Sequence, residues 1–178
     1  MYPAAAHTTD TLLHGRLALA QPAHGFRVNL DAVLLAAFAA TARPPRPVRR
    51  GHPPFPAAVD LGAGTGAVGL LLRHAGLVGR CLLVEAEPDL AALARANARA
   101  NDLAATVPVW EGDLRLALPH DWLGRCHLVV ANPPYLALAA GRPSPDPLRA
   151  RPATSCAADC RSSPPRPARC SAPRASSR

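Results

Sequence analysis

Between residues 57 and 140 the apolar positions come in short runs separated by stretches with helical spacing. Ala57-Ala58-Val59-Asp60-Leu61 is a compact apolar run bounded by prolines and glycines, which predicts a buried strand. Residues from Thr65 to His74 then carry a helical pattern closed by Gly76. Arg80-Cys81-Leu82-Leu83-Val84-Glu85 predicts a second strand. Pro88 suits a first helical position, and Asp89 and Leu90 open an Ala/Leu/Arg helix that runs to near Asn101. Val107-Pro108-Val109-Trp110 predicts a third strand, placed at an edge by its proline. His127-Leu128-Val129-Val130-Ala131 predicts a fourth, which leads into Asn132-Pro133-Pro134-Tyr135. Strand–helix alternation of this kind implies an α/β fold with a parallel sheet and right-handed crossovers. Ahead of it, 16–21 and 25–28 are expected as two short strands, and Asp31 to Ala42 as an Ala/Leu-rich helix.

Composition divides this picture into segments. The chain has 178 residues and a formal charge of +8, and all 20 basic residues are arginine. Residues 1–148 hold a net +2 and residues 149–178 a net +6, so the basicity belongs mostly to the last thirty residues. From this we expect an N-terminal strand/helix segment over 1–42, a Pro/Arg-rich connector over 43–56, a core over 57–140, and an Arg/Pro/Ser-rich disordered tail over 141–178. A glycine period is missing, which excludes a collagen-like chain. The longest apolar run, Ala32 to Ala40, is about half of the roughly 20 residues that cross a bilayer. The start lacks the basic and apolar regions of a secretory signal, so a cytoplasmic location is expected. Cys156, Cys160 and Cys170 fit no standard finger spacing, and no metal site is expected.

The chemistry concentrates at the ends of the strands. Asp60-Leu61-Gly62-Ala63-Gly64-Thr65-Gly66 stands at the carboxyl end of the first core strand, where open α/β sheets bind ligands. Gly64-Thr65-Gly66-Ala67-Val68-Gly69 satisfies the dinucleotide fingerprint, which alone is weak. Asp60 argues against a nicotinamide site, because it interrupts the strand end with an acid. A dehydrogenase would also need a proton relay such as a Tyr/Lys pair, and the chain has no lysine. Glu85, at the end of the next strand, can accept hydrogen bonds from two ribose hydroxyls with either cofactor. Asn132-Pro133-Pro134-Tyr135 suits transfer to an amino group whose lone pair is delocalised. The Asn132 amide oxygen and the Pro133 carbonyl can accept the two N–H bonds, which aims the lone pair at an electrophile. The two prolines stiffen the loop, and Tyr135 offers a face for stacking a planar group.

These residues resemble class I S-adenosylmethionine-dependent methyltransferases of the small-domain group, and most closely the bacterial tRNA(Val) adenine-N6 methyltransferases. The resemblance rests on residues 25–36, the turn from Asp60 to Gly66, Glu85, residues 132–135 and Pro143-Ser144-Pro145-Asp146-Pro147. It implies a Rossmann-like sheet, S-adenosylmethionine as cofactor and an RNA partner (tRNA); separately from the resemblance, a monomer is expected. It assigns Gly62, Gly64 and Gly66 to the methionine and ribose parts of the cofactor, Asp60 to its amino-acid end, and Asp113 to its adenine amino group. It puts Asp31 near the pocket, covered by the N-terminal segment, and gives catalysis to Asn132, Pro133, Pro134 and Tyr135. Two alternatives stand beside it: a protein glutamine N5 methyltransferase, which shares the tetrapeptide, and a noncatalytic remnant that keeps cofactor or RNA affinity. A complete fold of this group has seven strands, whereas four are expected here. The composition of the tail is what a GC-rich message gives in a wrong frame, so a truncated or frame-shifted copy is expected beyond about Leu148.

Overall fold

The four apolar runs form one parallel sheet. A computed structural model describes residues 6–24, 27–44, 47–115 and 118–133. In chain order these form β1 (His7–Leu12), β2 (Leu17–Pro22), α1 (Leu30–Ala39), β3 (Phe55–Leu61), α2 (Ala67–His74), β4 (Val78–Glu85), α3 (Pro88–Ala100), β5 (Val109–Glu111), a 3₁₀ turn at His120–Trp122, and β6 (Leu128–Ala131). The sheet order is β5-β4-β3-β6 with every pairing parallel. The chain is therefore the α/β, Rossmann-like type expected. Pro108 falls just before β5, which pairs on one side only, with β4.

Side-chain alternation splits the core in two. Ala58 of β3 with Cys81 and Leu83 of β4 face α2, α3 and β2, packing with Leu70, Leu72, Ala94, Ala98, Leu17 and Leu19. Ala57 and Val59 with Leu82 and Val84 face the opposite way, onto Trp122. The Arg80 guanidinium lies 4.4 Å above the Trp122 ring, a cation–π contact. Asp60 shares the parity of Ala58, and Glu85 that of Cys81 and Leu83, so both acids point toward the helices α2 and α3.

The N-terminal segment departs from expectation. The strand expected over 16–21 is β2, shifted one residue on because Arg16 belongs to the turn, and its partner is β1, in an antiparallel hairpin with Asp10 opposite Leu19. The expected second strand over 25–28 is absent at Arg27 and Val28, while Gly25 and Phe26 lie outside the described residues. Arg27 and Val28 instead brace the hairpin from outside. Arg27 donates to the Thr8 hydroxyl, the Pro22 carbonyl and the Asp10 carboxylate, and the Val28 N–H donates to Gln21 Oε1. Two of these bonds satisfy backbone groups, the Pro22 carbonyl and the Val28 N–H, through side chains instead of a strand ladder. The helix expected over 31–42 is α1, shorter at its C-terminal end. Residues Pro134 to Arg178 lie outside the described residues, and with them Tyr135, residues 143–147 and the expected tail.

Candidate cofactor and active site

Strand register gathers the candidate residues along one rim. Leu61 pairs with Val84 on one side and Ala131 on the other, and Glu85 pairs with Glu111. The glycine turn, Glu85, the loop carrying Asp113 and the start of the Asn132 loop therefore all emerge at the carboxyl ends of neighbouring strands. Asn132 stands one residue beyond the partner of Leu61, level with Gly62.

Glu85 holds the turn. Its Oε2 accepts the Gly64 N–H at 2.7 Å and its Oε1 accepts the Glu87 N–H at 2.9 Å. One carboxylate thus joins the glycine turn to the start of α3. It is 7% exposed, and each oxygen retains a further lone-pair direction, as ribose hydroxyls would require. The turn is also pinned by backbone bonds, from Ala63 N–H to Val84 O at 2.9 Å and from Gly66 N–H to Ala63 O at 2.8 Å. Gly62, Gly64 and Gly66 all adopt the left-handed region. A Cβ at Gly62 or Gly64 would meet nothing within 4 Å, so the turn presents bare backbone to open space. That opening, beside a carboxylate with spare acceptor directions, fits a ribose-bearing cofactor.

Asp60 lies deeper. It is 1% exposed, and its Oδ2 accepts the Gly69 N–H at 2.9 Å. Gly66, the cap residue of α2, has no side chain to satisfy the first-turn amides, and Asp60 supplies that acceptor from the neighbouring strand. Burial raises the Asp60 carboxyl to about pKa 7; the Gly69 bond opposes the rise and the nearby Glu85 charge adds to it.

The remaining expected residues are spread more widely. Asp113 is on the rim, where the Gly112 N–H donates to Glu85 O at 2.9 Å, but its carboxylate is engaged by Arg115. The side-chain bond from Arg115, reinforced by its backbone N–H, lowers Asp113 to about pKa 2. Asp31 opens α1, and its Oδ2 accepts from Asn29 Nδ2 at 2.9 Å while Asn29 Oδ1 caps the Asp31 N–H. Asn132 and Pro133 are described; Pro134 and Tyr135 are not. Among the described residues, no group of three His, Cys, Asp or Glu is placed to hold a metal ion. No described helix is long and apolar enough to cross a membrane.

One site residue was not anticipated. Asn97 on α3 is 0% exposed and donates through Nδ2 to the carbonyl of Thr65, in the middle of the glycine turn, at 2.9 Å. Its signal was a pair of asparagines, Asn97 and Asn101, four apart on an otherwise Ala/Leu/Arg helix. The Thr65 hydroxyl is buried without a hydrogen-bond partner among the described residues.

Comparison with known proteins places the fold and the family. The chain is 31% identical over 129 residues to a tRNA1(Val) (adenine(37)-N6)-methyltransferase of Porphyromonas gingivalis, covering 71% of this chain and 48% of that protein. A protein of the same name from Klebsiella pneumoniae is 34% identical over 84 residues, covering 44% of this chain and 32% of that one. The chain thus spans about half the length, or less, of the curated relatives it matches. Among solved structures, the human methyltransferase 10 domain containing protein superposes with a TM-score of 0.52 at 19% identity, over 68% of this chain and 56% of that one. P. horikoshii TYW2 in complex with MeSAdo gives 0.50 at 16% identity, over 66% of this chain and 40% of that one. At these identities the structures share the fold. Residues 52–142, which run from the connector through all four sheet strands to the Asn132 loop, match the methyltransferase small domain, and the chain belongs to that family.

Proposed function

We propose that this chain is an S-adenosylmethionine-dependent N-methyltransferase whose acceptor is an exocyclic amino group, adenine N6 of a tRNA. The observation that carries this reading is the shared rim. Glu85 fixes the glycine turn by a 2.7 Å bond to Gly64, and the Leu61–Ala131 pairing sets Asn132 beside that turn. The family and the names of the relatives, tRNA adenine-N6 methyltransferases, supply the substrate class. When bound, the cofactor supplies a methyl group on a sulfonium centre. Glu85 accepts the ribose hydroxyls, and the bare glycine backbone admits the ribose and methionine parts closely. The amide oxygen of Asn132 accepts an N–H of the acceptor amine, which turns the nitrogen lone pair toward the methyl. No strong base is required, because the alkylated nitrogen loses its proton readily.

One experiment separates the two halves of the site. S-adenosylhomocysteine binding is measured by calorimetric titration, and methyl transfer by single turnover on unmodified tRNA. Glu85→Ala is expected to weaken binding by about 1.5–3 kcal/mol, the scale of hydrogen bonds to a charged acceptor. Asn132→Ala is expected to leave binding intact and to slow transfer by roughly a hundredfold or more, as when one preorganised transition-state hydrogen bond is lost. Equal losses of binding and rate in Asn132→Ala would make it part of the cofactor pocket. An unchanged dissociation constant in Glu85→Ala would remove the ribose assignment.

A further inference from the structure

The outer edge of β2 is paired by two side chains instead of a third strand. Asn101 Oδ1 accepts the Ala18 N–H at 2.8 Å, and Asn101 Nδ2 donates to the Ala18 carbonyl at 2.7 Å. One helical turn earlier, Asn97 Oδ1 accepts the Ala20 N–H at 2.7 Å, and Asn97 Nδ2 donates to the Ala20 carbonyl at 2.9 Å. Residues two apart in a strand turn the same way, and residues four apart on a helix lie on one face. The two periods meet here, so each carboxamide imitates the peptide group of a neighbouring strand.

The two asparagines differ in a single bond. Asn101 gives its second N–H to its own helix, at the Asn97 carbonyl, 2.8 Å away. Asn97 gives its second N–H to the Thr65 carbonyl. Thr65 sits between Gly64 (φ +57°) and Gly66 (φ +87°), the segment with the most backbone freedom on the rim. The turn is therefore held from two sides: Glu85 grips the Gly64 N–H from β4, and Asn97 grips the Thr65 carbonyl from α3.

We infer that Asn97 is a positioning residue of the cofactor site, which fixes the Thr65–Gly66 peptide in its binding form and ties that form to docking of the β1–β2 hairpin. The inference rests on the reading that the glycine turn holds the cofactor. A turn fixed in advance binds without the ordering cost that a loose one incurs. By the same connection, a ligand that settles the turn also settles Asn97, and through it the Ala20 end of β2.

The test uses the full chain with S-adenosylhomocysteine as the probe. Asn97→Ala and Asn101→Ala each remove one carboxamide from the edge of β2, so both loosen the hairpin. Only Asn97→Ala also frees Thr65. Its dissociation constant is expected to rise by roughly tenfold, against less than about threefold for Asn101→Ala. Equal losses in the two variants, or no loss in Asn97→Ala, would overturn the inference. Should Asn97→Ala fail to fold, amide hydrogen exchange on the unmodified chain decides the matter. The probe is expected to slow exchange at the Ala20 amide, bonded to Asn97, more than at the Ala18 amide, bonded to Asn101. Equal changes, or none, would overturn the coupling. A chain that shows no binding of the probe overturns the cofactor reading as well, whereas binding without the Asn97 difference overturns the positioning role alone.

Discussion

Asp60 combines two functions that pull against each other. Its carboxylate caps the Gly69 amide, which favours the charged form, while complete burial next to Glu85 disfavours it more strongly. The folded chain therefore holds the Asp60 proton up to about pH 7, and the unfolded chain releases it near the ordinary value of 3.8. Between those two values the folded state binds more protons than the unfolded one, so stability falls as pH rises through this window and levels off above it. Asp60→Asn keeps an oxygen to accept the Gly69 N–H and removes the titration. Urea unfolding from about pH 4.5 to 8 should show a downward slope for the parent chain that is reduced in the variant, with the variant the more stable at the upper end. Parallel profiles for the two chains would mean that the Asp60 carboxyl titrates as it does in the unfolded state. Asp113 shows the opposite balance on the same rim. There an exposed arginine two residues on lowers the carboxyl through its side-chain bond.

At the scale of elements, α2 stands close to the sheet because Gly69 has no side chain. A Cβ at that position would fall 2.3 Å from Leu83 Cδ2 and 3.1 Å from Cys81 Sγ, both buried in the centre of β4. Gly69→Ala gains roughly 1 kcal/mol of helix propensity but has to displace the buried Leu83 side chain or shift α2 from β4. The net expectation is a loss of about 1–3 kcal/mol, read as a lower urea midpoint; a midpoint at or above that of the parent would show that Leu83 or α2 yields freely. The glycine turn and all four core strands were legible in the sequence, whereas the fingerprint ending at Gly69 did not by itself reveal this close approach of α2 to the sheet. The central strands β3 and β4 are buried on both faces and so must be apolar runs, while β5 and β6 are only partly covered yet still read as short apolar runs between polar loops. What stayed hidden depends on partners distant in sequence or on unusual backbone. β1 reads His-Thr-Thr-Asp-Thr-Leu and is largely solvent-facing, so it lacks an apolar signature. Its turn uses left-handed Leu13 and His14 ahead of Gly15, residues that rarely announce a hairpin. The Asn97 bond to Thr65 spans 32 positions, and the Arg115 grip on Asp113 depends on a rotamer, so composition and spacing show neither. At the candidate site, Asp60, the glycines and Glu85 were legible because chemistry at strand ends follows from topology.

At the scale of the whole molecule, the acids and arginines of the described core strands lean to opposite ends. Glu85 and Glu111 end their strands at the carboxyl rim, and Glu87 and Asp89 follow at the start of α3, so the candidate site opens on an acidic side. Arg49 and Arg50 precede β3, Arg73 is in the last turn of α2 and Arg80 is early in β4, which sets these cations toward the opposite end. Two of the acids on this rim already carry an arginine, Glu111 through Arg95 and Asp113 through Arg115, so the folded rim offers a polyanion little net positive charge. Residues 149–178 hold a net +6 of the total +8, with seven arginines and one acid. An RNA partner of the kind proposed is expected to draw on that segment through its phosphates, and each phosphate neutralised releases counterions and steepens the salt dependence. Removing residues 149–178 should therefore make the plot of log affinity for tRNA against log salt shallower, by about 0.7–0.9 for each phosphate that is no longer neutralised. Affinity for S-adenosylhomocysteine, set at the rim by Glu85 and the glycine turn, should stay the same. Filter-binding titrations of tRNA between about 50 and 200 mM salt, a range over which phosphate neutralisation is read clearly, measure the slope. An unchanged slope would assign phosphate binding to arginines within residues 1–148.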